Sequence, residues 1–316
     1  MDFPIADLMD QDACYHKLLD LLHPAGLVCP TCRLADQLRV HRRDRAPVLD
    51  WRCTACGRVF NAFTGTGLAG THRRPAELML ILRGFAQGTP TAQLARELGC
   101  DRKHLLELRR AMQGNAERWL DRNPLGDEVV EADEMYQNAG EKGVEHPDPD
   151  DPPRRRGNGR RGHGSFHNDR PPVAGVVGRE SGAVRLEVID SAGSAELDEF
   201  VDRSCLSGAT VNTDAWVGYN RVGGHHDRVH VVADHSGPRS TWAIDADGDG
   251  VREVHCNTME GIWTGARNFL RPFRGVSKWC ASQYVAMFEW GHNIKEVTDG
   301  FLRVMLGLSP YTSFAS

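Results

Sequence analysis

Two pairs of cysteines constrain this chain before anything else does: Cys29-Pro-Thr-Cys32 and, after 20 intervening residues, Cys53-Thr-Ala-Cys56-Gly57. Two residues between cysteines let one tight turn present both sulfurs to a tetrahedral ion, and Gly57 relieves the backbone where the second turn closes. The spacing is that of a structural zinc site, closed to substrate because four thiolates leave no open position. Leu38–His41 and Val48–Arg52 read as the two strands of a zinc ribbon between the pairs, with a reduced or disulfide-linked quartet as the alternative. The other five, Cys14, Cys100, Cys205, Cys256 and Cys280, are scattered and read as small buried apolar side chains.

Basic residues concentrate around and after this motif. The whole chain carries a formal charge of −5, yet residues 33–122 hold 17 Lys and Arg against nine Asp and Glu, and residues 152–170 hold six arginines against one aspartate. Local basic surface, and not net charge, is what meets a phosphate backbone. From Thr91 to Gln113 the pattern has helix-turn-helix rhythm: Leu94, Ala95 and Leu98 make one apolar side, Gly99 stops the helix, Asp101 caps the next, and Leu105, Leu106 and Leu108 bury it. That second helix would expose Arg102, Lys103, His104, Arg109 and Arg110 to DNA. A helical hairpin with a solvated basic face is the plainer alternative, and residues 78–85 supply a supporting helix.

Val129-Val-Glu-Ala-Asp-Glu-Met-Tyr136 reads as a short strand that ends in carboxylates, with Glu131 and Asp133 on one face and Glu134 on the other. Hard divalent cations need oxygen ligands from distant segments, so the question is whether Asp133 has partners. Two β-rich runs follow, Pro172–Arg179 and Ala183–Asp190, then an amphipathic helix opening at Ser194, then a strand Ala209–Thr213 that ends at Asp214. Arg228–Ala233 is a fifth strand candidate. Three runs, a helix and two more strands resemble an RNase H-like core, in which the first and fourth strands lie side by side and would set Asp133 beside Asp214. Glu260, in the first turn of a helix capped by Asn257 or Thr258, is the expected third acid, and Arg267 lies two turns on along the same helix face. Trp216 and Tyr219 read better as packing behind the site than as base-stacking platforms, and Asp245–Gly250 as a hairpin tip and not a calcium loop.

The ordered set of motifs is similar to the IS1595-type (ISXO2-like) insertion-sequence transposases: the paired cysteines, Val-Glu-Ala-Asp-Glu-Met-Tyr, Thr-Asp-Ala-Trp-Val-Gly-Tyr, His-Cys-Asn-Thr-Met-Glu-Gly-Ile-Trp, and Tyr284 with Phe288-Glu-Trp-Gly-His-Asn293. The resemblance implies a DDE triad of Asp133, Asp214 and Glu260 holding two Mg2+ or Mn2+ ions, with Arg267 as the basic residue after the glutamate. His255 and Asn257 support the glutamate or touch DNA.

The expected fold class is α/β, an RNase H-like catalytic core behind a zinc ribbon and a helix-turn-helix module. Residues 1–70 would form the ribbon domain, 71–125 the helix-turn-helix domain, 126–300 the catalytic domain and 301–316 a C-terminal tail. Within the catalytic domain, 137–171 is expected as a mobile basic loop carrying Arg154, Arg155, Arg156, Arg160 and Arg161, and 234–254 as a hairpin insertion. The implied activity is metal-dependent cleavage at insertion-sequence ends and strand transfer into target DNA. The implied partners are double-stranded DNA, as terminal inverted repeats and target, and further copies of the chain in a dimer or larger assembly. A DNA-binding regulator or an inactive domesticated relative is the rival reading. No export leader or apolar run of membrane length is evident, so a cytoplasmic, nucleoid-associated protein without membrane insertion is expected.

Overall fold

The computed structural model describes residues 4–141, 161–224, 227–233, 242–245, 248–250 and 252–310. The chain divides into two compact units, Met1–Trp119 with Ile294–Ser316, and Leu120–Asn293.

In the first unit, β1 (Leu38–Arg42), β2 (Asp50–Cys53) and β3 (Val59–Asn61) form an antiparallel sheet in chain order, so the ribbon gains a third strand after the second cysteine pair. Ahead of it, α1 (Gln11–Leu22) opens at Asp10, whose carboxylate accepts the N–H groups of Asp12 and Ala13, the usual satisfaction of first-turn donors. After it come α2 (Pro75–Ala86), α3 (Thr91–Glu97) and α4 (Arg102–Arg118). The turn between α3 and α4 is built as the residues predict: Gly99 takes φ +60°, a left-handed conformation open to glycine, and Asp101 accepts the N–H of His104 at 2.9 Å. Leu105 is buried, whereas Leu106 and Leu108 are only half-buried, because Arg109 takes the deep position on α4 instead.

The expected C-terminal tail is not a tail over its described part. Residues Asp299–Met305 form α8, with Phe301, Leu302, Val304 and Met305 buried. Thr298 caps it by accepting the Phe301 N–H, and Lys17 of α1 pairs with Asp299 at 2.6 Å. Four apolar residues in one short amphipathic run are enough to pull the segment into a core.

The second unit is a five-stranded mixed sheet, made of β4 (Val129–Tyr136), β5 (Pro172–Gly178), β6 (Val184–Val188), β7 (Thr210–Asp214) and β8 (Val229–Ala233) in the order β6-β5-β4-β7-β8. β4, β5 and β6 pair antiparallel, while β7 and β8 run parallel to β4. Every residue of β5 is buried, as expected of a strand covered on both faces. One face packs Val130, Ala132, Ala174 and Val176 against Leu197, Phe200 and Val201 of α5 (Ser194–Ser204). On the other, Met135, Val173, Val177 and Leu186 meet Met259, Ile262, Trp263 and Ala266 of α6 (Asn257–Leu270) and Val285 of α7 (Ala281–Ile294). Gly175 permits that approach: a Cβ there would stand 2.3 Å from Met259 Cε and 2.6 Å from the Trp263 ring.

The free edge of β6 is covered by side chains of α7. Asn293 accepts the Val184 N–H at 2.9 Å and donates to its carbonyl at 3.1 Å, Glu289 accepts the Leu186 N–H, and His292 reaches the Gly182 carbonyl. Unpaired strand edges recruit other strands, so the Glu289–Asn293 motif closes the sheet here.

The connection from β4 to β5 departs from the expected mobile loop at both described ends. Lys278, itself buried, sits 2.9 Å from Glu141 and 3.1 Å from Asp169, and Arg170 donates to Asn138 at 2.6 Å. Buried charges persist where they are paired in this way. Arg161 is described and exposed; Arg154, Arg155, Arg156 and Arg160 lie outside the described residues. In the expected hairpin insertion, Ile244 and Val254 exchange two backbone hydrogen bonds, and Asp245 accepts the N–H groups of Gly248 and Gly250, as at a turn. Of the five scattered cysteines, Cys14, Cys205 and Cys256 are buried, while Cys100 and Cys280 are only half-buried.

Candidate active site

Asp133 and Asp214 are brought level by the parallel pairing of β4 with β7. Glu131 pairs with Asn212, so the same register carried two residues further sets Asp133 level with Asp214, the last residue of β7, although β4 itself does not end at its carboxylates and runs on to Tyr136. Burial raises the Asp133 carboxyl to about 6, and the charges of Asp214 and then Glu260 push the same way. The Glu134 N–H and the indole N–H of Trp263, 2.8 Å from Asp133 Oδ2, pull against them. Asp214 and Glu260 therefore both lie near enough to Asp133 for their charges to disfavour its ionisation, a repulsion that a dication would relieve. Asp214 is half-buried, with its Oδ1 accepting the Trp216 N–H at 3.0 Å, and Glu260 is exposed in the first turn of α6.

The acids are spread more widely than a single-ion site. Among the described residues, the cysteine quartet is the one group of three or more metal-ligating side chains whose ligand atoms all lie within 4.8 Å of one another.

α6 is capped from another element. Neither Asn257 nor Thr258 accepts a first-turn N–H; instead the fully buried carboxylate of Glu131 accepts the Met259 N–H at 3.0 Å and the Thr258 hydroxyl at 2.9 Å. A negative charge at a helix N-terminus meets both unpaired N–H groups and the positive end of the dipole. Arg179 donates to Glu131 at 2.9 Å and to the carbonyls of Glu253 and His255, and His255 Nδ1 lies 3.1 Å from Glu131. Burial, and then Arg179, hold the His255 imidazole below its ordinary range. His255 therefore contacts the same carboxylate that accepts the first-turn N–H of the helix carrying Glu260. The strand pattern gave Glu131 its face, but nothing in the local pattern marks Arg179.

On the opposite face, Glu134 accepts from the Tyr219 hydroxyl at 2.7 Å and the Tyr136 hydroxyl at 3.4 Å. Burial pushes it to about 8, with Asp133 and Asp214 adding to the shift. Tyr219 is buried, and Trp216 packs half-buried with its indole N–H 3.3 Å from the Ala192 carbonyl, which makes both packing residues. The His163 ring stacks on Trp216 with centroids 4.2 Å apart and reaches the Tyr136 hydroxyl at 2.8 Å. Arg267 is exposed in the last turn of α6, two turns beyond Glu260.

The four cysteine sulfurs fit a tetrahedral ion. The Cys29–Cys56 and Cys32–Cys53 sulfurs are 3.5 Å apart, too far for a disulfide and close to the about 3.8 Å set by zinc–sulfur bonds of about 2.3 Å. Burial opposes ionisation of Cys29, but the N–H groups of Cys32 and Thr31 and the neighbouring thiols hold it below the ordinary thiol range, while Cys32 and Cys56 are pushed up. Four thiols crowded together share negative charge poorly without a cation.

Of the residues expected to face DNA on α4, Arg102, Lys103 and His104 are exposed and Arg110 is half-buried. Arg109 is a correction. Its side chain is fully buried, donates to Thr91 Oγ1 at 2.8 Å and to the Thr89 carbonyl, and lies over the Phe85 ring at 4.2 Å. It ties the start of α3 to α4 and cannot reach a nucleic acid.

Residues 124–293 match the family model of the ISXO2-like transposase domain. An uncharacterized protein in transposable element ISH50 of Halobacterium salinarum is 28% identical over 293 residues, covering 90% of this chain and 92% of that protein. Two solved structures overlap it at low similarity. The HTLV-2 integrase catalytic core domain in complex with magnesium gives 11% identity over 54% of this chain and 87% of that one, with a TM-score of 0.28. The simian T-cell lymphotropic virus intasome in complex with PP2A regulatory subunit B56 gamma gives 12% identity over 66% of each chain, with a TM-score of 0.32. No described helix is long and apolar enough to cross a membrane.

Proposed function

Because the chain belongs to the ISXO2-like transposase domain family, we propose that it is a DDE transposase that cuts DNA at the ends of an insertion sequence and joins the freed 3′ ends to target DNA. The observation that carries this reading is the convergence of three acids far apart in sequence: the register of β4 with β7 sets Asp133 level with Asp214, and α6, with Glu260 in its first turn, is tied to β4 through Glu131 and Trp263. The strand order third-second-first-fourth-fifth, with the last two parallel to the first, supports the RNase H-like assignment.

Asp133, Asp214 and Glu260 would hold the two Mg2+ or Mn2+ ions. Bound there, the ions supply activation of the attacking oxygen and charge stabilisation of the leaving one. The chain's residues do the rest. Trp263 holds one Asp133 oxygen, and the exposed Arg267 lies on the Glu260 face of α6, suited to a phosphate oxygen of the bound strand. In the first step water attacks a phosphodiester and the 3′ oxygen leaves with a proton. In the second, the oxygen of that 3′ hydroxyl attacks a target phosphodiester: its new P–O bond forms as the bond to the target strand's own 3′ oxygen breaks, and that oxygen leaves with the proton.

Arg102, Lys103, His104 and Arg110 on α4, and the arginines of the β4–β5 connection including Arg161, are the proposed DNA contacts. Zinc at Cys29, Cys32, Cys53 and Cys56 would be structural. Holding two ends together calls for a dimer or larger assembly.

The test is a duplex carrying the element's own end, incubated with the protein and Mg2+. Wild type should nick the end and join it to a target plasmid, and Asp133→Asn should do neither while binding the end normally. Cutting without joining would demote the protein to a nuclease, and strand transfer by the Asp133→Asn variant would remove the acid site from the mechanism.

A further inference from the structure

We propose that Arg179 and Glu131 form a positioning pair that sets Glu260 against Asp133; the inference rests on the nucleotidyl-transfer reading above. Glu131 lies two residues before Asp133 on the same face of β4, is fully buried, and so touches no substrate. One of its oxygens accepts the Met259 N–H, the peptide next to Glu260. Its other oxygen is shared by Thr258 Oγ1 at 2.9 Å and Arg179 Nε at 2.9 Å. A single carboxylate therefore spans the strand that carries the first acid and the helix turn that carries the third.

Arg179 makes the arrangement rigid. It follows β5 directly, and its own N–H bonds the Val129 carbonyl at the start of β4. Its guanidinium reaches the Glu253 carbonyl and, at 2.6 Å, the His255 carbonyl, on the stretch that leads into α6. Three polar links from one planar fork fix both the height and the rotation of α6 over the sheet, which a monodentate cation could not do. The pairing also neutralises a charge buried beside the acids, so that Glu131 does not compete with Asp133 for a cation. Ligand-supporting contacts of this kind characteristically change metal affinity about 10- to 100-fold when removed.

The test measures Mn2+ binding to the zinc-replete full-length chain, from the loss of the free-ion paramagnetic resonance signal, with thermal unfolding run in parallel. Wild type should bind Mn2+ that Asp133→Asn loses. Arg179→Met should bind about 10- to 100-fold more weakly while remaining folded, and Arg179→Lys should recover only part of the difference. Thr258→Val deletes one donor to Glu131 without uncovering a charge, and should weaken binding about two- to fivefold. That variant carries the test if Arg179→Met does not fold. Wild-type affinity in folded Arg179→Met, or in Thr258→Val, overturns the positioning pair and leaves the acid site standing. Wild type with no Mn2+ binding sensitive to Asp133→Asn sinks the acid-site reading, and the pair with it.

Discussion

The indole N–H of Trp263 donates to the Asp133 carboxylate at 2.8 Å, while the same ring fills the space above Gly175 on the neighbouring strand. One side chain thus serves the core and the site together. Trp263→Phe keeps most of the packing and deletes the donor, so strand cleavage should fall about tenfold or more. Stability should fall by only about 1–2 kcal/mol. Ile262→Val on the same buried stripe should cost about 0.5–1.5 kcal/mol and leave the rate nearly unchanged. Equal rate losses in the two would assign the effect to packing.

Gly175→Val drives a branched side chain into Met259 and Trp263. The helix must lift or the strand must bend, an overpacking penalty of about 1–3 kcal/mol. Because lifting α6 moves Glu260, activity should fall further than the loss of folded protein accounts for. Denaturant unfolding alongside single-turnover cleavage separates the two effects.

Glu289 is buried against β6, and burial raises its carboxyl to about 7 despite the Leu186 N–H and the neighbouring arginines. A folded value above the unfolded one means that the native state holds a proton the unfolded chain releases. The stability this contributes is fully present below about pH 4.5 and is lost as pH rises to about 7. Glu289→Gln, whose amide oxygen can still accept from Leu186, should remove that dependence. The variant should be relatively more stable at pH 8 than at pH 5, by roughly 1–3 kcal/mol. A stability difference that does not change with pH would show that Glu289 does not titrate in this window.

Arg109 and Lys103 should behave oppositely although both are cations on α4. Arg109→Met strips donors from the Thr89 carbonyl and Thr91 and should destabilise the unit by about 1–3 kcal/mol. Lys103→Ala should leave stability within about 0.5 kcal/mol, weaken DNA binding across sequences, and lower the salt dependence by roughly one phosphate contact. Thermal melts and salt-titrated binding isotherms distinguish them.

Stripping metal from the cysteine quartet should release about one zinc per chain. β1–β3 should lose structure with it, since four thiolates hold a sheet with a small apolar cluster around Phe60 and Trp51. Cys53→Ser should reproduce the effect without a chelator. Protein that keeps its fold and contains no zinc would make the quartet a cluster of reduced thiols.

Most of the secondary structure was legible because its signals are local. Alternation and β-branching marked β4 and β5, Asp101 and Gly99 marked the turn before α4, and Asp214 ends β7 as expected, whereas Asp133 lies inside β4, which runs on to Tyr136 paired with β5. The basic face of α4 was legible except at Arg109, since helical periodicity cannot tell an arginine that stacks on Phe85 from one that faces water. The ordered ends of the β4–β5 connection were missed for a similar reason. Composition says that a Gly-, Pro- and Arg-rich run cannot bury itself, and it is silent about Lys278, more than 100 residues away, which pins both ends.

By itself the sequence determined the spacing that gathers the four cysteines and which runs form most of the strands and helices, because spacing and side-chain chemistry act over a few residues. Only the tertiary structure decided that Glu131 caps a helix more than 120 residues away, that Arg179 ties β5 to that helix, and that Trp263 touches Asp133. Those contacts join segments distant along the chain, and a long-range hydrogen bond leaves no periodic trace in either partner's neighbourhood.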